Sequence, residues 1–479
     1  METRQAGVLL HITSLPSSVK EQARAEKSRL GQIDQQAWHF VDWMHGADLA
    51  IWQLLPLTHT HSDGSPYHAL SAFALDPKFL PETISNDAID ADAFAVFQQT
   101  HQAWLDDYAL FMVLRDEFAQ QAWYDWPESL KKRDVQSLAA FAKSHAEQLL
   151  RVKQQQFLLF TQWLKLKTYA NQKKVRLFGD MPLFVALDSA DVWANQDLFK
   201  LDEQANPEVV AGVPPDYFSE TGQRWGNPHY DWQRMEQDGF AWWHLRVRHS
   251  LSLFDWLRID HFRGLESCWE IDADEPTAIN GRWVPTPGNE LLQSLLRDFD
   301  ELPLIAEDLG VITDEVLALK DKFGLPGMAV MQFGFDGLPD NPHALHAQTA
   351  NTVVYSGTHD NDTTLGWWQG LDDNTQTWIA SQLKPLVGPV IEQTDLDNSM
   401  PWWLVVAVML SKANKAIIPM QDFLMLDSTH RMNTPGTVDH NWQWQFDWSQ
   451  VPESLAENIA ILVEACQRSG FEYKENQDG

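Results

Sequence analysis

Apolar residues gather in short, nearly continuous runs at residues 7–12, 51–57, 175–184, 255–260, 302–307, 327–333, 352–356 and 416–419. Most are rich in β-branched or large aliphatic side chains and are bounded by turn-forming residues. A strand that is apolar at almost every position has both faces covered, as in a parallel sheet, not in a half-solvated antiparallel one. Between many of these runs the apolar spacing shifts to the helical period, as at 35–44, 289–299, 313–323 and 400–413. Eight such strands alternating with helices predict a (β/α)8 TIM barrel. A doubly wound open sheet is the competing arrangement, but no glycine-rich phosphate turn follows the first run.

Two intervals are too long for simple crossovers. The one between the second and third runs is rich in Trp, Phe and Gln at helical spacing, and a helical subdomain is expected at about 81–172. The one between the third and fourth has loop character at 206–230, and a substrate-covering segment is expected at about 188–245. Both belong on the carboxyl-terminal face of one catalytic barrel domain spanning 1–479, with a frayed tail at 474–479. No internal repeat is evident.

Three of the runs lead into an acid, in two cases beside Arg or His: 257–264 (LRIDHFRG), 304–310 (LIAEDLG) and 355–362 (YSGTHDND). Strand ends of a parallel barrel converge on one cup. Asp260, Glu307 and Asp360 gathered there are the equipment for breaking and remaking a glycosidic bond. Arg258 shares a strand face with Asp260 and is expected to hold it ionised, with a depressed pKa, as a nucleophile needs. Glu307 has no base beside it, and burial among other acids should raise its pKa, as a general acid needs. His359 and Asp360 suit sugar hydroxyls and an oxocarbenium-like charge. Taken singly, an Arg-x-Asp pair is usually structural, and Asp308 and Asp362 are plausible decoys. The weight rests on the three acids together.

Composition narrows the partners. The 67 acidic against 35 basic residues give a net charge of −32, which repels nucleic acid and anionic membranes and suits a neutral ligand. The 23 tryptophans against 8 tyrosines suggest indole faces lining a saccharide groove, with core packing as the alternative. Cys268 and Cys466 fit neither a disulfide framework nor a zinc site, and no signal peptide or membrane span is evident, so the cytoplasm is expected. Neither a metal nor another cofactor is called for, and a monomer is the default.

Beyond these three runs, 9–16 (LLHITSLP), 65–67 (SPY) with 71–73 (SAF), 179–186 (GDMPLFVA), 188–193 (DSADVW), 212–219 (GVPPDYFS), 222–228 (GQRWGNP), 419–422 (PMQD) and 431–436 (RMNTPG) complete a pattern that runs nearly the whole length. It resembles the 4-α-glucanotransferases, the amylomaltases or disproportionating enzymes of glycoside hydrolase family 77 in the α-amylase-like clan. The resemblance implies Asp260 as nucleophile, Glu307 as general acid/base and Asp360 as transition-state stabiliser. It implies support from Arg258 and His359 and a sugar contact at Asp180. Ser65, Tyr67, Gln223, Trp225, His261 and Asn433 match positions lining the sugar subsites. The implied reaction is metal-free transfer of an α-1,4-glucan segment with retention, on maltose, maltodextrins or glycogen-derived chains. One departure is Asp439-His440-Asn441-Trp442, where many relatives have Gly before Asn-Trp; it is expected to reshape an outer wall. An α-amylase-type hydrolase would use the same three acids. A non-catalytic glucan-binding barrel would be expected to have lost one of them.

Overall fold

The computed structural model describes residues 4–17, 30–85, 89–215 and 219–469. The expected frayed tail, and Asp216, Tyr217 and Phe218 of the 212–219 motif, lie outside these residues. Among the described residues twelve strands form two sheets. Eight are parallel: β1 (Gln5–Leu9), β2 (Ile51–Gln53), β3 (Arg176–Pro182), β6 (Trp256–Asp260), β9 (Leu304–Ala306), β10 (Gly327–Val330), β11 (Thr352–Tyr355) and β12 (Lys415–Pro419). Their order, β10-β11-β12-β1-β2-β3-β6-β9, is that of a (β/α)8 barrel. Between β9 and β10 the ring is drawn together by Ala306 N donating to Pro326 O at 2.8 Å and Met328 N donating to Asp308 Oδ1 at 2.7 Å. Each predicted run overlaps one of these strands: β1 begins two residues before its run and β12 one residue before, while the other six lie inside theirs and are shorter, mostly because the last apolar residues of a run turn out of the ladder into the loops above it.

Between β2 and β3 the chain forms helices Ala91–Thr100, Gln102–Glu117, Val135–Ser144 and the long Ala146–Gln172. The 206–230 stretch is not a simple loop. It supplies β4 (Val209–Val213) and β5 (Gln223–Pro228), which join β7 (Ser267–Asp272) and β8 (Gly281–Pro285) in an antiparallel sheet of order β5-β4-β7-β8. β5 leaves Gln223, Arg224 and Trp225 exposed, so it lacks the apolar run that marks a barrel strand. Helix Asp373–Ile391 carries Pro385 and Pro389 inside it and gives no clean helical signal in sequence.

One hydrophobic core joins barrel and helices. Trp52, Trp123, Trp163, Trp193, Trp243 and Trp402 are wholly buried in it, so much of the tryptophan content is packing rather than groove lining. Among the described residues no helix is long and apolar enough to cross a membrane.

Candidate active site

Strand register assembles the cup. Along β3 and β6, Asp180 lies opposite Arg258 and Pro182 opposite Asp260; along β6 and β9, Ile259 lies opposite Ala306. One step further, Asp260 ends β6 and Glu307 follows β9. Glu307 N donates to Ile259 O and Phe262 N to Glu307 O, both at 3.1 Å, which fastens the two strand ends together. Side chains alternate along a strand, so Arg258 and Asp260 share a face while Leu257 and Ile259 pack into the core. Gly179 lets this wall close: a Cβ there would stand 2.3 Å from the ring of Phe254.

A single guanidinium joins two of the acids. Arg258 Nε donates to Asp180 Oδ1 at 2.9 Å and its Nη2 to Asp260 Oδ1 at 2.5 Å. The Tyr67 hydroxyl donates to Asp180 Oδ2 at 2.6 Å, and burial beside Asp180 keeps that hydroxyl protonated well above its usual range. The expected depression of the Asp260 pKa is overturned. Burial lifts it well above the usual carboxylate range; Arg258 opposes this, and Asp180, Glu307 and Asp360 add to it. Arg258 is already half spent on Asp180, so it cannot offset three neighbouring acids.

Glu307 is held by backbone. Its Oε2 accepts from His261 N at 2.8 Å and its Oε1 from Leu309 N at 2.9 Å. Its pKa is raised, chiefly by burial, against Arg258 and these two N–H donors. His261 turns its amide toward Glu307 from a left-handed conformation, φ 56°, which costs a non-glycine residue energy and is typical of functional turns. Burial keeps the His261 ring neutral, with its pKa lowered to about 4. Trp225 meets that ring edge-on, centroids 4.9 Å apart. Its Nε1 donates to Gln223 Oε1 at 3.1 Å. Trp225 therefore sits on a strand, not on a loop, and remains 39% exposed.

Across the cup, Asp360 lies in the turn after β11. Asn433 Nδ2 donates to its Oδ1 at 2.6 Å, and His359 Nε2 lies 3.3 Å from its Oδ2. The buried His359 ring, its pKa lowered by desolvation, stacks on Tyr67 with centroids 5.3 Å apart. Tyr67 thus ties the Asp360 side of the cup to the Asp180 side, and it is half-buried rather than freely exposed. Ser65 Oγ accepts from Tyr67 N at 3.3 Å and shapes that turn. Asp308 and Asp362 point elsewhere. Asp308 pairs with Lys320 at 2.7 Å, and Asp362 Oδ2 accepts from Ser428 Oγ at 2.7 Å. Two residues at the cup stood in quoted motifs but were given no site role from sequence. Trp442 lies 5.9 Å from Tyr67 and 6.0 Å from His359 between ring centroids, and Arg431 Nη2 donates to Asp360 O at 2.9 Å. Both come from residues 431–442, which have neither strand nor helix to mark them.

A parallel barrel with paired acids and an arginine at its carboxyl-terminal mouth defines a carbohydrate-active barrel enzyme. The comparisons narrow this. Residues 10–88 and 82–450 match the glycoside hydrolase family 77 model, described as 4-alpha-glucanotransferase. The 4-alpha-glucanotransferase of Thermus thermophilus is 40% identical over 508 residues, covering 97% of this chain and 99% of that protein. The corresponding Synechocystis protein is 39% identical, covering 98% and 99%. The amylomaltase of Streptococcus agalactiae, solved in complex with acarbose, superposes with a TM-score of 0.88 at 32% identity, covering 97% and 99%. The chain belongs to the 4-alpha-glucanotransferase family and is an enzyme of that activity.

Proposed function

We propose that this enzyme transfers α-1,4-linked glucan segments between maltodextrins by a retaining double displacement through a covalent glucosyl–Asp260 intermediate. The observation that carries this reading is the Arg258 fork between Asp180 and Asp260, on the strand beside the backbone-held Glu307. Both Asp260 and Glu307 have raised proton affinity, so the pair titrates as a unit and can retain one proton. Arg258 donates to Asp260 and not to Glu307, and the reaction requires the shared proton to stand on Glu307 when Asp260 attacks.

An Asp260 carboxylate oxygen attacks the anomeric carbon as the bond to the departing 4-oxygen breaks, and Glu307 gives that oxygen its proton. The shortened glucan leaves. An acceptor's 4-hydroxyl then gives its proton to Glu307 and attacks the same carbon, releasing Asp260. Two inversions give net retention. Asp360, steadied by His359, bears on the positive charge at the ring, and Asp180 accepts from sugar hydroxyls. Trp225, His261, Gln223, Tyr67, Ser65 and Asn433 line the sugar positions, and the segment bearing β4 and β5 covers the bound chain. Maltose, maltodextrins and glycogen-derived chains are the substrates, and acarbose is expected to occupy the cup. Two buried free thiols, Cys268 and Cys466, suit a reducing, cytoplasmic setting.

The test is purified enzyme with maltotriose alone. Glucose together with a ladder of longer maltodextrins is expected. Glucose and maltose in hydrolytic proportion, with no longer products, would sink the transferase reading. After exhaustive EDTA treatment the ladder is expected unchanged, because Arg258 supplies the positive charge at the acids; loss restored by one specific metal would contradict this.

A further inference from the structure

Asp180, Asp260 and Glu307 are held by the barrel itself, through strand register, Arg258 and two backbone N–H groups. Asp360 is not. It lies past the end of β11, in a turn whose internal bonds are those of Thr358 with Asn361: Thr358 N and Oγ1 both donate to Asn361 Oδ1, at 2.9 and 2.8 Å. The Asp360 amide reaches Thr358 Oγ1 only at 3.4 Å. The strongest contacts to Asp360 come from a separate segment, 431–442.

Arg431 is the hub of that segment. Its Nη2 donates to Asp360 O at 2.9 Å, its Nε to Asn433 O at 3.2 Å, and its Nη1 lies 3.9 Å from Asp362 Oδ2. One planar group thereby fixes the backbone on which the Asp360 carboxylate hangs and the backbone that delivers Asn433 to that carboxylate. The segment is closed on itself behind it: Trp442 N donates to Met432 O at 2.7 Å, and Thr434 N to Asn441 Oδ1 at 3.0 Å. Arg431 makes no hydrogen bond to the Asp260 or Glu307 carboxylates among the described contacts. A lysine could reach one of its acceptors but could not span two in a plane.

We propose that Arg431 is a positioning residue that sets the Asp360 carboxylate at the reacting ring, acting through the Asp360 and Asn433 backbone rather than on substrate. This rests on the reading of Asp360 as transition-state stabiliser. A carboxylate displaced by a fraction of an ångström still admits substrate but serves the transition state poorly. The loss therefore belongs in kcat, not KM.

The experiment is a double-mutant cycle on the full-length enzyme with Arg431→Gln and Asp360→Asn. An α-maltosyl fluoride donor keeps residual turnover measurable. Arg431→Gln is expected to lower kcat about 10–100-fold with KM within about threefold, and Arg431→Lys to fall between it and the parent. In the Asp360→Asn background the same change should cost less than about threefold, because what Arg431 positions is already gone. Added guanidinium should partly restore Arg431→Gln but not the double variant. An equal cost in both backgrounds, a loss confined to KM, or an unchanged kcat overturns the proposal while Asp360→Asn remains impaired. Near-native turnover by Asp360→Asn instead overturns the reading of Asp360, and this inference with it. Should Arg431→Gln not fold, Arg431→Lys is taken through the same cycle under the same criteria.

Discussion

Asp260 carries a cost that a residue chosen for stability alone would not. Its raised pKa means the folded protein binds this proton more tightly than the unfolded chain does. Above the folded value, the fold holds a desolvated charge among like charges. As pH falls through that value the fold takes up a proton the unfolded chain does not, so stability rises until the unfolded carboxyl also titrates. Asp260→Asn can keep the Arg258 hydrogen bond through its amide oxygen. It is expected to abolish most turnover yet raise the melting temperature at pH 8, with the gain shrinking as pH is lowered; calorimetry across pH checks this, and a lower melting temperature at pH 8 would contradict it. The acid at this position was legible because Arg258 and Asp260 share a strand face. The direction of its shift was not, because the three opposing acids arrive from β3, β9 and the turn after β11. At the rim, Trp225 is exposed and packs edge-on to His261, with the Phe184 ring further off at 6.4 Å, so Trp225→Ala should weaken kcat/KM by about 10–100-fold with little change in melting temperature. A large thermal loss with normal kcat/KM in the folded fraction would return it to packing.

At the scale of elements, the seam between β9 and β10 explains why an acidic pair follows β9. Glu307 faces the cup, while its neighbour Asp308 stitches the barrel by accepting Met328 N and pairing with Lys320 of helix Asp314–Lys322. The Asp308 carboxylate also fills the space beside Gly327, where a Cβ would stand 2.3 Å from Oδ2. Asp308→Ala leaves an unsatisfied strand amide and an unpaired, mostly buried ammonium, and is expected to cost about 2–4 kcal/mol of stability. Chemical denaturation measures that loss, and maltotriose turnover per folded molecule should stay within about threefold of the parent while Glu307→Gln loses nearly all of it. Equal loss of turnover in both would mean that the pair works as one catalytic unit. Sequence could not separate these two acids, since adjacent residues on a strand end differ only in which way they face. It did mark the strands themselves, because continuous apolar runs are what two-sided burial demands. β5 escaped notice for the opposite reason: a strand with Gln223, Arg224 and Trp225 in solvent has no apolar signature.

Over the whole molecule the acid excess and the chemistry of the cup point the same way. A net charge of −32 makes a field that would repel anionic ligands and do nothing to steer a neutral glucan. The charges gathered in the cup are a few ångströms apart and partly buried, where dissolved salt screens weakly, whereas surface charges beyond about 8–10 Å are screened at physiological ionic strength. Raising sodium chloride from low to about 0.5 M should therefore leave kcat/KM for maltotriose within about twofold. A phosphorylated maltodextrin, carrying charge into the same field, should bind more weakly at low salt and regain affinity as salt rises. The two titrations, run side by side, separate a field that is merely solubilising from one that recruits substrate. A steep salt dependence for neutral maltotriose would show that a surface charge cluster takes part in glucan binding, contrary to the proposal that the cup recognises its substrate through hydroxyls and aromatic faces.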